Sequence, residues 1–301
     1  MKNLLGIDEL APDQITAILE RAQYYAEALE TGDWNRETLS GKIILNLFFE
    51  NSTRTLTSFE MAAKKLGASV INWNMQTSSL AKGESFSDTI DTLDAMHPDA
   101  VVLRHSEYGA PLFVSKRMSC PVVNGGDSWR EHPTQALLDA LTMRQHFGKL
   151  EGLNVAIIGD IAHSRVAASN MILLTKMGAN VRVIAPEMLM PEKFPAEGIQ
   201  RFTDLIEGIK DCDAVMTIRL QRERMESVMI NDATYYKDYG LTHEKLEAAC
   251  CNGIVLDPGP FLRGVQISDN LADDHERFLY RKQVSNGIPT RMAVLEMVMG
   301  A

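Results

Sequence analysis

The sequence predicts an α/β protein of two domains, each a parallel β-sheet flanked by helices, with the C-terminal helix returning to the first domain. Three observations lead to the two parallel sheets. Short apolar runs such as "KIILNLFF", "DAVVLRH" and "DAVMTIR" recur along the chain, with segments of helically spaced apolar residues between them. Strands that alternate with helices imply parallel sheets. The alternation pauses near Gly148 and resumes at "GLNVAIIGD", and a chain of 301 residues, at roughly 100–200 per domain, holds two domains. The expected boundaries are 1–149 plus 286–301 for the first domain and 150–285 for the second.

The elements follow in order. Asp13 to Leu29 places Ile15, Ile18, Leu19, Ala22 and Ala26 on one helical side. "KIILNLFF" (42–49) is a buried strand. Leu56, Phe59, Ala63 and Leu66 then recur at helical spacing, and Gly67 is a natural C-cap. "ASVINW" (68–73) is the next strand, and "NMQTSSLAKGESFSD" (74–88) a polar loop. That loop ends in Ser85-x-x-Asp88, which resembles a capping box, before a helix through Met96. Strands "DAVVLRH" (99–105) and "CPVVNGG" (120–126) follow. His132-Pro133 opens a helix to Phe147, with proline at its favoured first position and Gly148 past the end. The second half reads as strand 152–160, helix 164–177, strand "NVRVIAP" (180–186), helix 203–210, strand "DAVMTIR" (213–219), a helix within 242–251 and strand "GIVLDPGP" (253–260). The last helix runs from Pro289 to Met299. No repeat of 20–50 residues and no low-complexity tract interrupts the pattern.

Composition excludes several classes. Apolar residues make up 45%, enough for sizeable cores. The net charge of −10 argues against a general affinity for nucleic acid or anionic membrane. No apolar run approaches the ~18 residues of a membrane span, and the N-terminus lacks the apolar core of a secretory signal. Cys120, Cys212, Cys250 and Cys251 form no CxxC pair, so no structural zinc is expected. Adjacent Cys250 and Cys251 read as buried thiols, and a cytoplasmic, reduced protein is the plain expectation.

Any anion site must then be a local basic cluster. In "FFENSTRTLTSFE", an arginine stands in the first turn of a helix, where a cation is ordinarily unfavourable by roughly 0.3–1 kcal/mol. Ser52 is a good N-cap. The hydroxyls of Ser52, Thr53 and Thr55 and the Arg54 guanidinium, added to the free N–H groups of the turn, suit a phosphate. Alternatively Ser52 only caps and Arg54 pairs with Glu50 four residues back. On this stretch alone both readings stand. Arg104 ends its strand, on the sheet edge where parallel sheets bind ligands, although a solvated surface arginine would look the same. His132 opens a helix with Gln135 one turn on, which alone is only a cap. Together they put polar donors at three successive strand–helix junctions on one edge of one sheet.

In the second half, Gly159-Asp160 ends a strand and Arg165 starts the next helix. The loop "GDIAHSR" lacks the further glycines of a dinucleotide fold, so no nicotinamide cofactor is expected. Arg219, with Gln221 two residues on, ends another strand. Arginines at two strand ends suit a dicarboxylate, and ion pairing with acids such as Glu223 is the plainer alternative.

With these motifs in place the chain resembles the aspartate carbamoyltransferase catalytic chains over nearly its whole length. "FFENSTRTLTSFE", "SLAKGES", "LRHSEYGAP", "EHPTQALLD", "GDIAHSR", "IRLQRER", "DPGPFLRG" and "NGIPTRMAVLEMV" carry the resemblance. The first motif is shared with ornithine carbamoyltransferases. Arg219-x-Gln221 and Asp257-Pro258-Gly259-Pro260 stand where ornithine enzymes would show His-Cys-Leu-Pro and a Ser-Met-Gly loop. The resemblance implies that Ser52, Thr53, Arg54 and Thr55 hold the phosphate of carbamoyl phosphate. It places Thr55, Arg104, His132 and Gln135 around the carbonyl, the main chain of Gly259 and Pro260 at the carbamoyl end, and Arg165, Arg219 and Gln221 on the aspartate carboxylates. It further implies a homotrimer in which Lys82, with Ser78 or Ser79, reaches a neighbour's site, and two domains that bind one substrate each and close over both. Two positions depart from the family pattern: Leu56, where a basic residue is common, and Asp257, where a histidine often precedes the proline.

The implied reaction joins the α-amine of L-aspartate to the carbamoyl group, with no metal or organic cofactor. Thr55, Arg104 and His132 would stabilise the charge that builds on the carbonyl oxygen. Rival readings are a carbamoyltransferase for another amino acid, a non-catalytic anion-binding partner of a pyrimidine-pathway complex, and an oxidoreductase. Regulatory chains or a dihydroorotase are possible partners that the sequence leaves open.

Overall fold

The computed structural model describes residues 1–73, 84–222 and 230–300. The chain divides into two compact units, Met1–Leu137 with Asn286–Ala301, and Leu138–Ser285.

The first unit opens with α1 (Pro12–Thr31), which buries Ile15, Ile18, Leu19, Ala22 and Tyr25 at the spacing read from the sequence. Then follow β1 (Ile43–Phe48), α2 (Thr53–Lys65), β2 (Ser69–Trp73), α3 (Phe86–Asp94), β3 (Ala100–His105), α4 (Ala110–Ser115), β4 (Val122–Asp127) and α5 (Pro133–Phe147). Its sheet is parallel, in the order β2-β1-β3-β4. The central strands are almost wholly buried, as a sheet covered on both faces requires, whereas edge strand β2 is largely exposed. Leu45, Leu47, Val101, Leu103 and Val122 pack with Ile90 and Leu93 of α3 and Val114 of α4. Ser85 caps α3 by accepting the Asp88 N–H at 3.1 Å.

The second unit continues from α5 with β5 (Asn154–Gly159), α6 (Arg165–Lys176), β6 (Asn180–Ile184), a 3-10 turn (Glu187–Leu189), β7 (Gln200–Phe202), α7 (Leu205–Ile209), β8 (Ala214–Ile218), α8 (Asp232–Tyr239), α9 (His243–Ala248), β9 (Ile254–Leu256) and α10 (Asp269–Asp273). Its parallel sheet runs β7-β6-β5-β8-β9. Ala156, Ile158, Val215 and Val255 pack with Leu205, Leu246, Leu271 and Phe278.

α11 (Tyr280–Met299) closes the chain. It begins nine residues' worth of sequence earlier than Pro289, the expected start, and holds that proline inside it. A proline there removes the N–H that would bond the Ser285 carbonyl. Ser285 is exposed, and helix on either side carries the element past the gap. The end of α11 returns to the first unit. The Glu296 carboxylate accepts Arg21 Nε and Nη2, each at 2.6 Å, and the Tyr25 hydroxyl at 2.9 Å, while Arg291 donates to Ser58 Oγ at 2.8 Å.

Cysteine placement corrects one expectation. Cys120, Cys212 and Cys251 are buried, but Cys250 is exposed, at φ 52 in the turn after α9. Burial pushes the Cys120 thiol up to about 11 and Cys212 to about 12. Among the described residues no helix is long and apolar enough to cross a membrane.

Candidate active site

The register of the first sheet sets the strand–helix junctions side by side. Phe48 pairs with Arg104, Arg104 with Gly126, and His105 with Asp127. Neighbouring strands lie about 4.8 Å apart, so the C-terminal ends of β1, β3 and β4 fall within about 10 Å. Ser52–Thr55 follow β1, Arg104 is the next-to-last residue of β3, and His132 follows β4.

Ser52 occupies the N-cap of α2 as expected, but its side chain accepts no capping hydrogen bond. No acid stands in the first turn. No first-turn carboxylate therefore answers the partial positive charge of the helix N-terminus, an arrangement chemically suited to an anion. Thr55 is buried; Arg54 is exposed and, among the described residues, makes no hydrogen bond or ion pair. The local partner considered for it, Glu50, bonds Arg104 instead: Arg104 Nε donates to Glu50 Oε2 at 3.0 Å. Arg104 Nη1 reaches the Gly125 carbonyl at 3.4 Å. The β3–β4 register shifts between Leu103 and Arg104, and a bulge of this kind re-aims the side chain beside it. Arg104 is therefore a half-buried, tethered cation rather than a solvated one.

His132 is buried, and its carbonyl accepts the N–H groups of Gln135 at 3.0 Å and Ala136 at 3.3 Å, starting α5. The turn before it is fixed by Glu131, whose carboxylate accepts the N–H of Ile7 at 2.7 Å and of Asp8 at 3.4 Å. Gln135 is buried in the first turn.

The second unit repeats the arrangement on its own sheet. Gly159 ends β5 at φ 135, where an added Cβ would meet the Ile218 carbonyl oxygen at 2.0 Å; only glycine lets the two strand ends approach so closely. Asp160, fully buried, follows. Its Oδ2 accepts the Gln221 N–H at 3.0 Å, and its Oδ1 accepts the His163 N–H at 3.2 Å and bonds His163 Nδ1 at 2.8 Å. One carboxylate thus joins the loop leading to Arg165, the buried first residue of α6, to the loop bearing Arg219 and Gln221. Arg219 is half-buried and donates to the Leu220 carbonyl at 3.4 Å. Next to β8, β9 ends at Leu256, and Asp257 accepts the Gly259 N–H at 2.6 Å. Gly259 has φ 67, and an added Cβ would meet the Tyr280 ring at 2.9 Å. The Gly259–Pro260 peptide is cis.

Each unit therefore gathers its predicted residues at one sheet edge: Ser52, Thr53, Arg54, Thr55, Arg104, His132 and Gln135 in the first, and Arg165, Arg219, Gln221, Gly259 and Pro260 in the second. Ser78, Ser79, Lys82 and Glu223 lie outside the described residues. Sequence reasoning missed Glu50 as the tether of Arg104, Glu131 as the anchor of the turn before His132, and Asp160 as the link between two loops. The available signal was an acid directly beside each basic or polar motif. Among the described residues no group of three or more His, Cys, Asp or Glu could hold a metal ion.

Comparison with known proteins matches the aspartate/ornithine carbamoyltransferase carbamoyl-P binding domain to residues 2–145, and the Asp/Orn binding domain of the same family to residues 151–298. The aspartate carbamoyltransferase catalytic subunit of Rhodospirillum rubrum is 49% identical over 300 residues, covering 99% of this chain and 94% of the relative. The Trypanosoma cruzi aspartate transcarbamoylase in complex with N-(phosphonacetyl)-L-aspartic acid superposes with a TM-score of 0.86 at 31% identity, over 99% of this chain and 95% of that one. The same enzyme with carbamoyl aspartate and phosphate gives 0.86 at 31%, with the same coverage.

Proposed function

Because the chain belongs to the aspartate/ornithine carbamoyltransferase family, we infer that it is an aspartate carbamoyltransferase. It transfers the carbamoyl group of carbamoyl phosphate to the α-amine of L-aspartate, giving N-carbamoyl-L-aspartate and phosphate for pyrimidine biosynthesis. The observation that carries this reading is the gathering of Ser52–Thr55, Arg104 and His132 at one edge of the first sheet, with Arg54 left without a protein partner among the described residues. The aspartate branch is favoured over the ornithine one by Arg219-x-Gln221 and Asp257–Pro260.

In this reading residues 1–149 with 286–301 bind carbamoyl phosphate and residues 150–285 bind aspartate. The open N-terminus of α2, its hydroxyls and Arg54 take the phosphate. Thr55, Arg104 and His132 donate to the carbonyl oxygen, with Gln135 beside them. As the amine attacks carbon, charge moves onto that oxygen, and donors already held in place stabilise it without reorganising. Glu50 holds the Arg104 guanidinium ready. His132 acts as a donor rather than a base, and the departing phosphate accepts the amine proton. Arg165, Arg219 and Gln221 hold the two carboxylates of aspartate, which turns a bimolecular encounter into an oriented one. No cofactor enters these steps.

The test is an assay for carbamoyl aspartate against carbamoyl ornithine, with and without a chelator. Carbamoylation of ornithine in preference to aspartate, or activity abolished by chelation and restored by metal, would overturn it. We further propose a cytoplasmic homotrimer in which Lys82, with Ser78 or Ser79, completes a neighbour's site. Lys82→Ala and Arg54→Ala chains, each nearly inactive, should regain activity when dissociated, mixed and reassembled. Hybrids confirmed by mass that stay inactive would place Lys82 elsewhere.

A further inference from the structure

Asp257 departs from the family pattern, and its surroundings give that departure a use. It is 1% exposed and takes donors on both oxygens. Oδ1 accepts the Gly259 N–H at 2.6 Å; Oδ2 accepts the Thr217 hydroxyl at 2.7 Å and Gln266 Nε2 at 2.8 Å. The backbone N–H of Asp257 donates to Gln283 Oε1 at 2.9 Å. Gln283 Nε2 in turn donates to Asp139 Oδ1 at 2.9 Å, and Asn170 Nδ2 donates to Asp139 Oδ2 at 2.9 Å and to the Val166 carbonyl at 3.0 Å. Asp139, Gln283 and Asn170 are as buried as Asp257. The network thus runs from the first turn of α6, beside Arg165, through α5 and α11 to the main chain at Gly259.

Its bonds have fixed directions. Gln266 Oε1 accepts the Leu262 N–H at 3.0 Å, so its amide cannot turn without losing that bond, and its Nε2 must face Asp257. Gln283 is pinned at both ends in the same way. Only a group that accepts on both oxygens satisfies this geometry, and an ionised carboxylate is acceptor-only. In an amide at position 257, an oxygen toward Gln266 turns the NH2 against the Gly259 N–H. An oxygen toward Gly259 turns the NH2 against Gln266 Nε2. Either way a donor meets a donor inside the protein, where unpaired polar groups are costly.

We propose that Asp257 is a positioning residue for the transfer reaction: it fixes the Gly259 N–H, and with it the main chain through Pro260, while Asp139 fixes Asp257 through Gln283. The proposal rests on the reading that places Gly259 and Pro260 at the carbamoyl group. Asp257→Asn should lower kcat by about 100-fold, the cost of a displacement near 1 Å. The KM for aspartate should stay within about threefold, because Arg165 and Arg219 are untouched. Amide hydrogen exchange should quicken in the segment 258–261. Thr217→Val removes one donor without changing shape and should lower kcat about fivefold; Thr217→Ser, which keeps the hydroxyl, should recover it. A folded Asp257→Asn chain with kcat within threefold of the parent overturns the proposal. If that variant fails to fold, Thr217→Val with unchanged kcat and exchange overturns it instead. Should the parent make no carbamoyl aspartate, the reading of function fails, and exchange still decides the positioning: faster at 258–261 in the variant supports it, unchanged refutes it.

Discussion

Asp160→Asn exchanges one buried oxygen for an NH2 group at the point where two loops of the second unit meet. The native carboxylate accepts the Gln221 N–H on Oδ2, and the His163 N–H on Oδ1. The amide has one acceptor oxygen, so one of those backbone N–H groups must face a donor in the protein interior. Leaving a buried donor unsatisfied costs about 1–3 kcal/mol. For a unit of this size each kcal/mol moves the melting temperature by about 2–4 °C, so a fall of roughly 2–12 °C is expected. The functional loss should be larger in proportion. Gln221 and Arg219 share the freed loop, and a shift of about 1 Å there is worth about 100-fold in turnover. Differential scanning fluorimetry reads the first effect. Steady-state kinetics with aspartate varied at saturating carbamoyl phosphate reads the second, and calorimetry with carbamoyl phosphate alone should show binding unchanged. A variant that melts within 1 °C of the parent and keeps kcat/KM for aspartate within about twofold, less than the worth of one hydrogen bond, would show that Asp160 holds neither loop.

Arg54→Ala should lose roughly 100- to 1,000-fold in turnover while its stability moves by no more than about 0.5 kcal/mol, since Arg54 has no ion pair among the described residues; near-parent kcat/KM would return the arginine to the role of a surface residue. Glu296→Ala should do the reverse. It strands Arg21 and the buried Tyr25 hydroxyl, at about 2–4 kcal/mol in urea denaturation, less than a fully buried pair because the Arg21 side chain is 38% exposed; the folded fraction should keep its specific activity. His105 carries a pH dependence. Burial between the rings of Phe49 and Phe86 pushes its imidazole below the ordinary 6.5, against the pull of Glu107, Glu50 and Asp127. The unfolded chain then takes up a proton at higher pH than the folded one, so this contribution is whole above about 6.5 and is lost as the pH falls toward the folded value. Urea titrations at pH 7.5 and 5.5 should show the loss, and His105→Gln should reduce it; an equal loss in the variant would assign it to other groups.

What the sequence made legible is what depends on near neighbours. Apolar runs, the proline at the start of α5 and the Ser85 cap act within a turn or two, and the corresponding elements lie where the pattern puts them. The short helices α4, α8 and α10 escaped: five to eight residues hold few periods, and of the helices this short only α7 and α9 registered. Pro289 misled because a rule about local bonding was applied to a helix that tertiary packing sustains, with Glu296 and Arg291 anchored on its far side. The site divides along the same line. Arg54, Arg104 and His132 each announce themselves at a junction. The acids that hold the site together do not, because their partners are distant along the chain: Glu50 bonds Arg104 across 54 positions, and Asp160 bonds Gln221 across 61. Read locally, Glu50 was a neighbour that would neutralise Arg54. In the fold it tethers Arg104, and Arg54 makes no ion pair among the described residues. Among the described residues the first-turn arginine that looked unfavourable in isolation stays without a charge partner, because its nearest acid in sequence is engaged across the sheet. In the proposed reading the phosphate of carbamoyl phosphate supplies the compensating charge, which is what Arg54→Ala tests.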